Sequence, residues 1–152
     1  MKRRLFLAST MLIPAAGLIV RARRALAAEH EVQMLNEGPD GQRNWFEPAV
    51  VYAQPGDTIR FVPVDKGHNS TAVVVPDGAE AWTGKLSQET SVTVEAPGLY
   101  SYKCTPHFGL GMVGLVAVGD PSVNLAAVKS ARYPGKARTV MAELIKEVEA
   151  SI

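Results

Sequence analysis

From His30 onward, short apolar runs alternate with Gly and Pro punctuation. Seven of these runs are rich in β-branched and aromatic residues: Glu31 to Leu35, Ala49 to Ala53, Thr58 to Val64, Ala72 to Val75, Ser91 to Ala96, Leu99 to Lys103 and Val113 to Val118. Seven or eight strands within about 90 residues indicate an antiparallel sandwich or barrel. In Thr58-Ile59-Arg60-Phe61-Val62 polar and apolar positions alternate, as expected of a sheet with one buried face. Gln54-Pro55-Gly56-Asp57 and Ala96-Pro97-Gly98 supply turns between strands, with Pro setting φ and Gly allowing it to be positive. After Gly119 the period changes. Asp120-Pro121 reads as an N-cap with Pro at the first helical position, opening a short helix to about Arg132. Beyond Pro134-Gly135, Met141, Leu144, Ile145 and Val148 fall on one apolar face of a second helix. No repeat or low-complexity linker separates these helices from the strands, so they pack on the same domain.

The start of the chain follows a different logic. Lys2, Arg3 and Arg4 precede an apolar run from Leu5 to Val20, and Ala25-Leu26-Ala27 offers the small-x-small pattern of a cleavage site. The run is too short for a comfortable membrane span. Arg3-Arg4-Leu5-Phe6-Leu7 matches the twin-arginine pattern used in bacteria, and Arg21, Arg23 and Arg24 near the cut fit that route. Residues 1–27 are therefore expected to be a removed export signal, and 28–152 a single domain in the bacterial periplasm.

Charge supports the division. The whole chain has 16 Lys+Arg and 15 Asp+Glu, but six of the basic residues and none of the acids lie in the first 27 positions. The remainder carries 10 Lys+Arg against 15 Asp+Glu, a net of −5, which argues against a partner held by phosphate neutralisation. One cysteine excludes an internal disulfide and any four-cysteine metal cluster.

Candidate chemistry is concentrated in Cys104-Thr105-Pro106-His107-Phe108-Gly109-Leu110-Gly111-Met112, where a thiolate, an imidazole and a thioether have C-x2-H-x4-M spacing between two predicted strands. His68 lies 36 residues before Cys104, at the end of another strand. Two imidazoles and a thiolate in a plane, with a long, weak Met above it, make a type-1 blue-copper site. Each donor alone has an ordinary reading, Cys and Met as core filler and His as a satisfied polar residue. Their joint spacing in an exported β protein favours the metal. Met34 and Met141 have no such company and are read as core. If cleavage follows Ala27, Ala28-Glu29-His30 is also a terminus able to wrap Cu(II) in a square plane through His30.

The chain resembles the pseudoazurins, bacterial periplasmic cupredoxins, in Met34-Leu35-Asn36, Phe46-Glu47-Pro48-Ala49, Pro55-Gly56-Asp57-Thr58 and Pro63-Val64-Asp65-Lys66-Gly67-His68-Asn69. The likeness continues through Pro97-Gly98, Tyr102-Lys103-Cys104-Thr105-Pro106-His107, Gly111-Met112, and Val118-Gly119-Asp120 leading to Asn124-Leu125. The resemblance implies an all-β Greek-key sandwich of about eight strands with two C-terminal helices. It also implies one copper ion held by His68, Cys104, His107 and axial Met112. Asn69 would tie the His68 loop to the cysteine loop and tune the sulfur, with Thr105 a further residue around the metal. Pro106 has no N–H to offer that sulfur, which keeps charge on it and holds the potential down.

On this reading the protein is no enzyme but a monomeric one-electron carrier. The family's exposed ligand corresponds to His107, so partners would dock on apolar Pro106, Phe108, Leu110 and Trp45, rimmed by Lys66 and Lys103, with Lys85 a further basic residue. Copper nitrite reductase and cytochromes are the implied partners, with neither nucleic acid nor, after cleavage, a membrane. Three features depart from the pattern: Glu37 stands where a lysine is usual, the stretch Gln42-Arg43-Asn44-Trp45 is altered, and the segment from His68 to Cys104 is about two residues short. These put the nitrite reductase partnership in question while leaving the donors intact. A copper chaperone would use similar soft donors but in an open site. A cysteine hydrolase built on Cys104, His107 and Asn69 would need its nucleophile on a helix N-terminus or sharp elbow, and no such element is predicted.

Overall fold

The computed structural model describes residues 26–151, so all but the last two residues of the expected export signal lie outside it. Eight strands form two four-stranded sheets: β1 (Glu29–Glu37), β2 (Arg43–Glu47), β4 (Asp57–Pro63) and β6 (Thr90–Val94) in the order β2-β1-β4-β6, and β3 (Val50–Ala53), β5 (Thr71–Val74), β7 (Gly98–Lys103) and β8 (Val113–Val118) in the order β3-β8-β7-β5. The pairing is not purely antiparallel as expected. β1 runs parallel to β4, and β3 parallel to β8, because each pair is joined by a connection that crosses to the other sheet and back. β2 carries almost no signature in the sequence, for a simple reason. In Arg43-Asn44-Trp45-Phe46-Glu47 only Phe46 is fully buried, so an edge strand carries almost no alternating signal.

The two sheets enclose one apolar layer, and a second lies between the β3-β8-β7-β5 sheet and the helices. β8 belongs to both. Val116 and Val118 point between the sheets, while Val113, Leu115 and Ala117 point to the helix side, so the strand is buried along its whole length. A strand with two buried faces reads as a continuous apolar run, as Val113-Gly114-Leu115-Val116-Ala117-Val118 does. The covering helix α2 (Ala137–Ala150) buries the predicted stripe of Met141, Leu144, Ile145 and Val148, together with Val140. Each such side chain contributes about 1.5–3 kcal/mol when fully removed from water.

The helix expected to run from Asp120 to about Arg132 is interrupted. Asp120 does cap, accepting the Ser122 N–H at 2.9 Å, but only a 3-10 turn over Pro121–Val123 follows, and α1 spans Leu125–Ser130. Asn124 breaks the run because its carboxamide pairs with the backbone of β7, accepting the Leu99 N–H at 2.7 Å and donating to the Leu99 carbonyl at 2.9 Å. That pairing needs a φ of −134°, which is not helical.

Two features hold the ends of the sandwich. At one, the connection into α2 presses on the loop between β7 and β8: the Lys136 N–H donates to the Gly109 carbonyl at 3.0 Å, and Gly135 turns there with a φ of +54°. A Cβ on Gly135 would stand 2.5 Å from that carbonyl oxygen. At the other end, Asp57 is buried at the start of β4 and accepts the Gln54 N–H at 2.9 Å, the Ala28 N–H at 2.8 Å, and a hydrogen bond from His30 Nε2 at 2.9 Å. The Gln54 bond first, then those from His30 and Ala28, hold its carboxyl down at about 2, against an ordinary 3.8.

Gly135→Ala should cost about 1–3 kcal/mol of stability from the left-handed backbone and the carbonyl contact, measured by denaturant unfolding; a neutral substitution would show that the junction is slack. For Asp57, a carboxyl with a depressed folded-state pKa stabilises the fold above about pH 4 and loses that contribution as pH falls toward 2. Asp57→Asn should therefore be less stable than wild type at neutral pH. The gap between the two should close between about pH 4 and 2 in acid-unfolding curves.

Candidate metal centre

The donors come from the ends of three strands. β7 ends at Lys103, and Cys104 follows with its N–H donated to the Met112 carbonyl at 3.0 Å, which closes the nine-residue loop at its base. Within it, the N–H groups of His107, Leu110, Gly111 and Met112 donate to carbonyls of Cys104, His107, Phe108 and His107 respectively, so the loop is two successive tight turns rather than a free span. Met112 is fully buried at the entry to β8. His68 arrives from the turn after β4, and its carbonyl accepts the Ser87 N–H at 2.8 Å.

These turns bring His68, Cys104 and His107 together, with their ligand atoms all within 4.8 Å of one another. His107 Nδ1 stands 3.4 Å and His68 Nδ1 3.7 Å from the Cys104 sulfur, and the two Nδ1 atoms are 3.1 Å apart. His68 Nε2 faces Asn36 Oδ1 at 3.0 Å. An amide oxygen only accepts, so Nε2 carries the proton and the Nδ1 lone pair is left for a ligand. Asn36 is held in turn, its N–H donating to Asp65 Oδ2 at 2.6 Å. Neither of these supports was singled out in the sequence, although both lie in stretches of family likeness. Their role depends on a crossing of β1 and the His68 turn that only the fold creates.

Asn69 is buried and does bridge the two loops. Its Oδ1 accepts the Thr105 N–H at 2.7 Å, while its Nδ2 donates to Thr105 Oγ1 at 3.1 Å and to the Gly84 carbonyl at 2.9 Å. Gly84 approaches so closely that a Cβ there would stand 2.7 Å from the Ser70 carbonyl oxygen. Burial, and next the neighbouring His107, push His68 below the ordinary imidazole value. Burial raises the Cys104 thiol, partly opposed by the backbone N–H groups of Asn69 and His107. Two imidazoles and one sulfur converging at one point suit a soft or borderline transition metal, and a thiol that coordinates one binds as the thiolate, its proton released to solvent. The arrangement fits copper, with His68, Cys104, His107 and Met112 as the residues that hold it.

The rim is apolar. Pro106 and Leu110 are exposed, Leu110 by 57%, while His107 and Phe108 are half-buried. Lys103 Nζ lies 4.6 Å from the centre of the Phe108 ring, and Lys66 is exposed beside the His68 turn. Trp45 is half-buried against the same apolar layer as Phe108, with its Nε1 donating to Glu47 at 3.0 Å. Leu86, 55% exposed next to the Ser87 that bonds the His68 carbonyl, adds an apolar residue the sequence did not flag. His30 is committed elsewhere, to Asp57. A square-planar Cu(II) site at Ala28-Glu29-His30 would have to break the bonds of both Ala28 and His30 to that carboxylate and the pairing of β1 with β4.

Residues 32–119 match the family described as copper binding proteins of the plastocyanin/azurin family. The chain is 53% identical to the pseudoazurin of Paracoccus pantotrophus over 84% of its own length and 88% of the relative's. It is 44% identical to that of Methylorubrum extorquens over 80% and 85%. A solved pseudoazurin from Sinorhizobium superposes with a TM-score of 0.79 at 48% identity, covering 82% of this chain and 99% of the other. With His68, Cys104 and His107 gathered, Met112 buried at the entry to β8 and its helices packed as described, the chain belongs to the pseudoazurins within this copper-binding family.

Proposed function

We propose that the protein is a periplasmic one-electron carrier, exported through its N-terminal signal and monomeric in use, that exchanges electrons with other periplasmic redox proteins at the His107 edge. The observation that carries the reading is the trio of ligand atoms within 4.8 Å of one another, with the His68 ring fixed by Asn36 and the cysteine loop tied by Asn69 and by its own backbone hydrogen bonds. Bound copper supplies the one-electron couple. The chain's residues supply a donor set that is hard to rearrange: Asn36 fixes the His68 ring, Asn69 fixes the spacing of the two loops, and α2 presses the cysteine loop from behind. Rigid donors lower the reorganisation that accompanies each electron. A copper chaperone, the other reading, needs a site that opens, which sits poorly with the full burial of His68, Cys104 and Met112.

The apolar rim of Pro106, Phe108 and Leu110, with Trp45 behind it and Lys66 and Lys103 beside it, is the docking face in this proposal. A small apolar patch suits a partner that must leave quickly. Its lysines favour acidic partners, a copper nitrite reductase or a cytochrome, although the mature net charge of −5 weakens long-range steering. No helix among the described residues is long and apolar enough to cross a membrane.

The deciding experiment combines visible and electron paramagnetic resonance spectra of the copper-loaded protein. An intense charge-transfer band with narrow copper hyperfine splitting, absent in Cys104→Ala, is expected; a pale tetragonal spectrum that survives the mutation would overturn the carrier reading. Leu110→Glu should keep that spectrum and slow electron exchange with a redox partner, while unchanged exchange would remove this face from consideration. Pro106→Ala adds a backbone N–H beside the sulfur. A net hydrogen bond of about 1 kcal/mol favouring the reduced state corresponds to a rise of about 40 mV in potential, readable by voltammetry, and an unchanged or lower value would refute this role for Pro106.

A further inference from the structure

Asp57 lies at the end of the sandwich where the chain enters β1, as the first residue of β4, and takes no part in the metal centre. It is 6% exposed, so its carboxylate has been taken almost wholly out of water. Such a group requires compensation from protein donors. Three donors supply it. Gln54 N–H and His30 Nε2 share Oδ2, each at 2.9 Å, and Oδ1 is bonded at 2.8 Å by the main-chain nitrogen of Ala28. The same residue is tied from its other side, where the Ala28 carbonyl accepts the Thr58 N–H at 2.9 Å. Ala28 is thus held at both ends of its backbone just before the parallel pairing of Glu29 with Thr58 begins.

Ala28 is also the residue that follows the expected cleavage point. Before cleavage its nitrogen is an amide with one proton and a partial charge. Hydrolysis of the Ala27–Ala28 bond adds water across it, leaving a carboxylate on Ala27 and an amine on Ala28, which is protonated to an ammonium at neutral pH. The nitrogen need not move. An ammonium has three protons, one of which can keep the direction of the old amide N–H, and a charge-assisted bond replaces a neutral-donor one. We propose that Asp57 is the built-in receptor for the α-ammonium of Ala28, so that removal of the leader converts an ordinary hydrogen bond into an ion pair on a buried carboxylate that locks the start of β1. The mature chain thereby gains a stabilising contact that its precursor lacks. A terminus one residue longer or shorter forfeits it, because the charge then lies about 3.8 Å from its place.

The inference rests on cleavage after Ala27, and that premise has its own readout, the N-terminal sequence of the exported protein. The receptor is tested without it, using copper-loaded chains released from a cleavable fusion to begin at Ala28 or at Ala27. The Ala28 chain should melt several degrees higher, and equal melting temperatures would overturn the proposal. Acylation of the α-amine at pH 7.5 by a small anhydride, followed by peptide mass spectrometry with the lysine amines as reference, should be about tenfold slower in the Ala28 chain than in its Asp57→Asn variant. Equal rates would show an amine free in solution and refute the ion pair. The Asp57→Asn loss of melting temperature should also be larger in the Ala28 chain than in the Ala27 chain, since only the former loses an ion pair. An equal loss in both would reduce Asp57 to a turn residue. Should Asp57→Asn fail to fold, the two wild-type chains still decide.

Discussion

The Asn69 carboxamide is the tie on which the metal centre depends. His68 and Cys104 are 36 residues apart, one in the loop between β4 and β5 and the other in the loop between β7 and β8, so nothing local keeps their side chains in register. One buried amide spans that gap, accepting from the Thr105 backbone and donating to the Thr105 hydroxyl. Because a buried amide left unpaired is costly, the two turns are held at one separation. Gly84 lets a third segment come close enough to take the remaining proton of that amide, so the tie has little freedom of its own.

Around this tie the fold works as a clamp with two jaws. One jaw is β1, whose Asn36 sets the proton of His68 on the outer nitrogen. The other is the C-terminal helical pair, which reaches the cysteine loop through Gly135 and Lys136. β8 connects them, contributing to the apolar layers on both of its faces. The helices therefore do more than cover a sheet. They fix the loop carrying His107 while leaving its rim open to solvent, a combination that a carrier with a rigid centre and a brief docking face requires.

Electrostatically the molecule is divided. Arg60 gathers Glu29, Glu31 and Glu89 on the outer face of the β2-β1-β4-β6 sheet, while Lys66 and Lys103 flank the metal centre. Such exposed pairs add little stability. Their placement leaves the lysines beside the apolar rim unneutralised by that acidic face, so attraction between partners can be local even when the net charge is unfavourable.

Much of this was legible in the chain itself. The donors could be read because the chemistry demands two residue types, sulfur and imidazole, at short spacing in one loop, and because strand and helix periods are local properties of the pattern. The stripe of α2 and the doubly buried run of β8 were equally plain. Other features could be decided only by tertiary structure, since each is a contact between segments distant in sequence. Asn124 breaks a helix in order to pair with β7, Asn36 and Asp65 set the His68 proton, and the parallel pairing of β1 with β4 replaces the expected antiparallel one. His30 reads as a copper ligand when only its neighbours in sequence are considered, but the fold places a buried carboxylate 2.9 Å from its ring. Residue type and spacing determine which atoms are able to bind a metal; the partner each one meets is set by long-range packing, which no local pattern encodes.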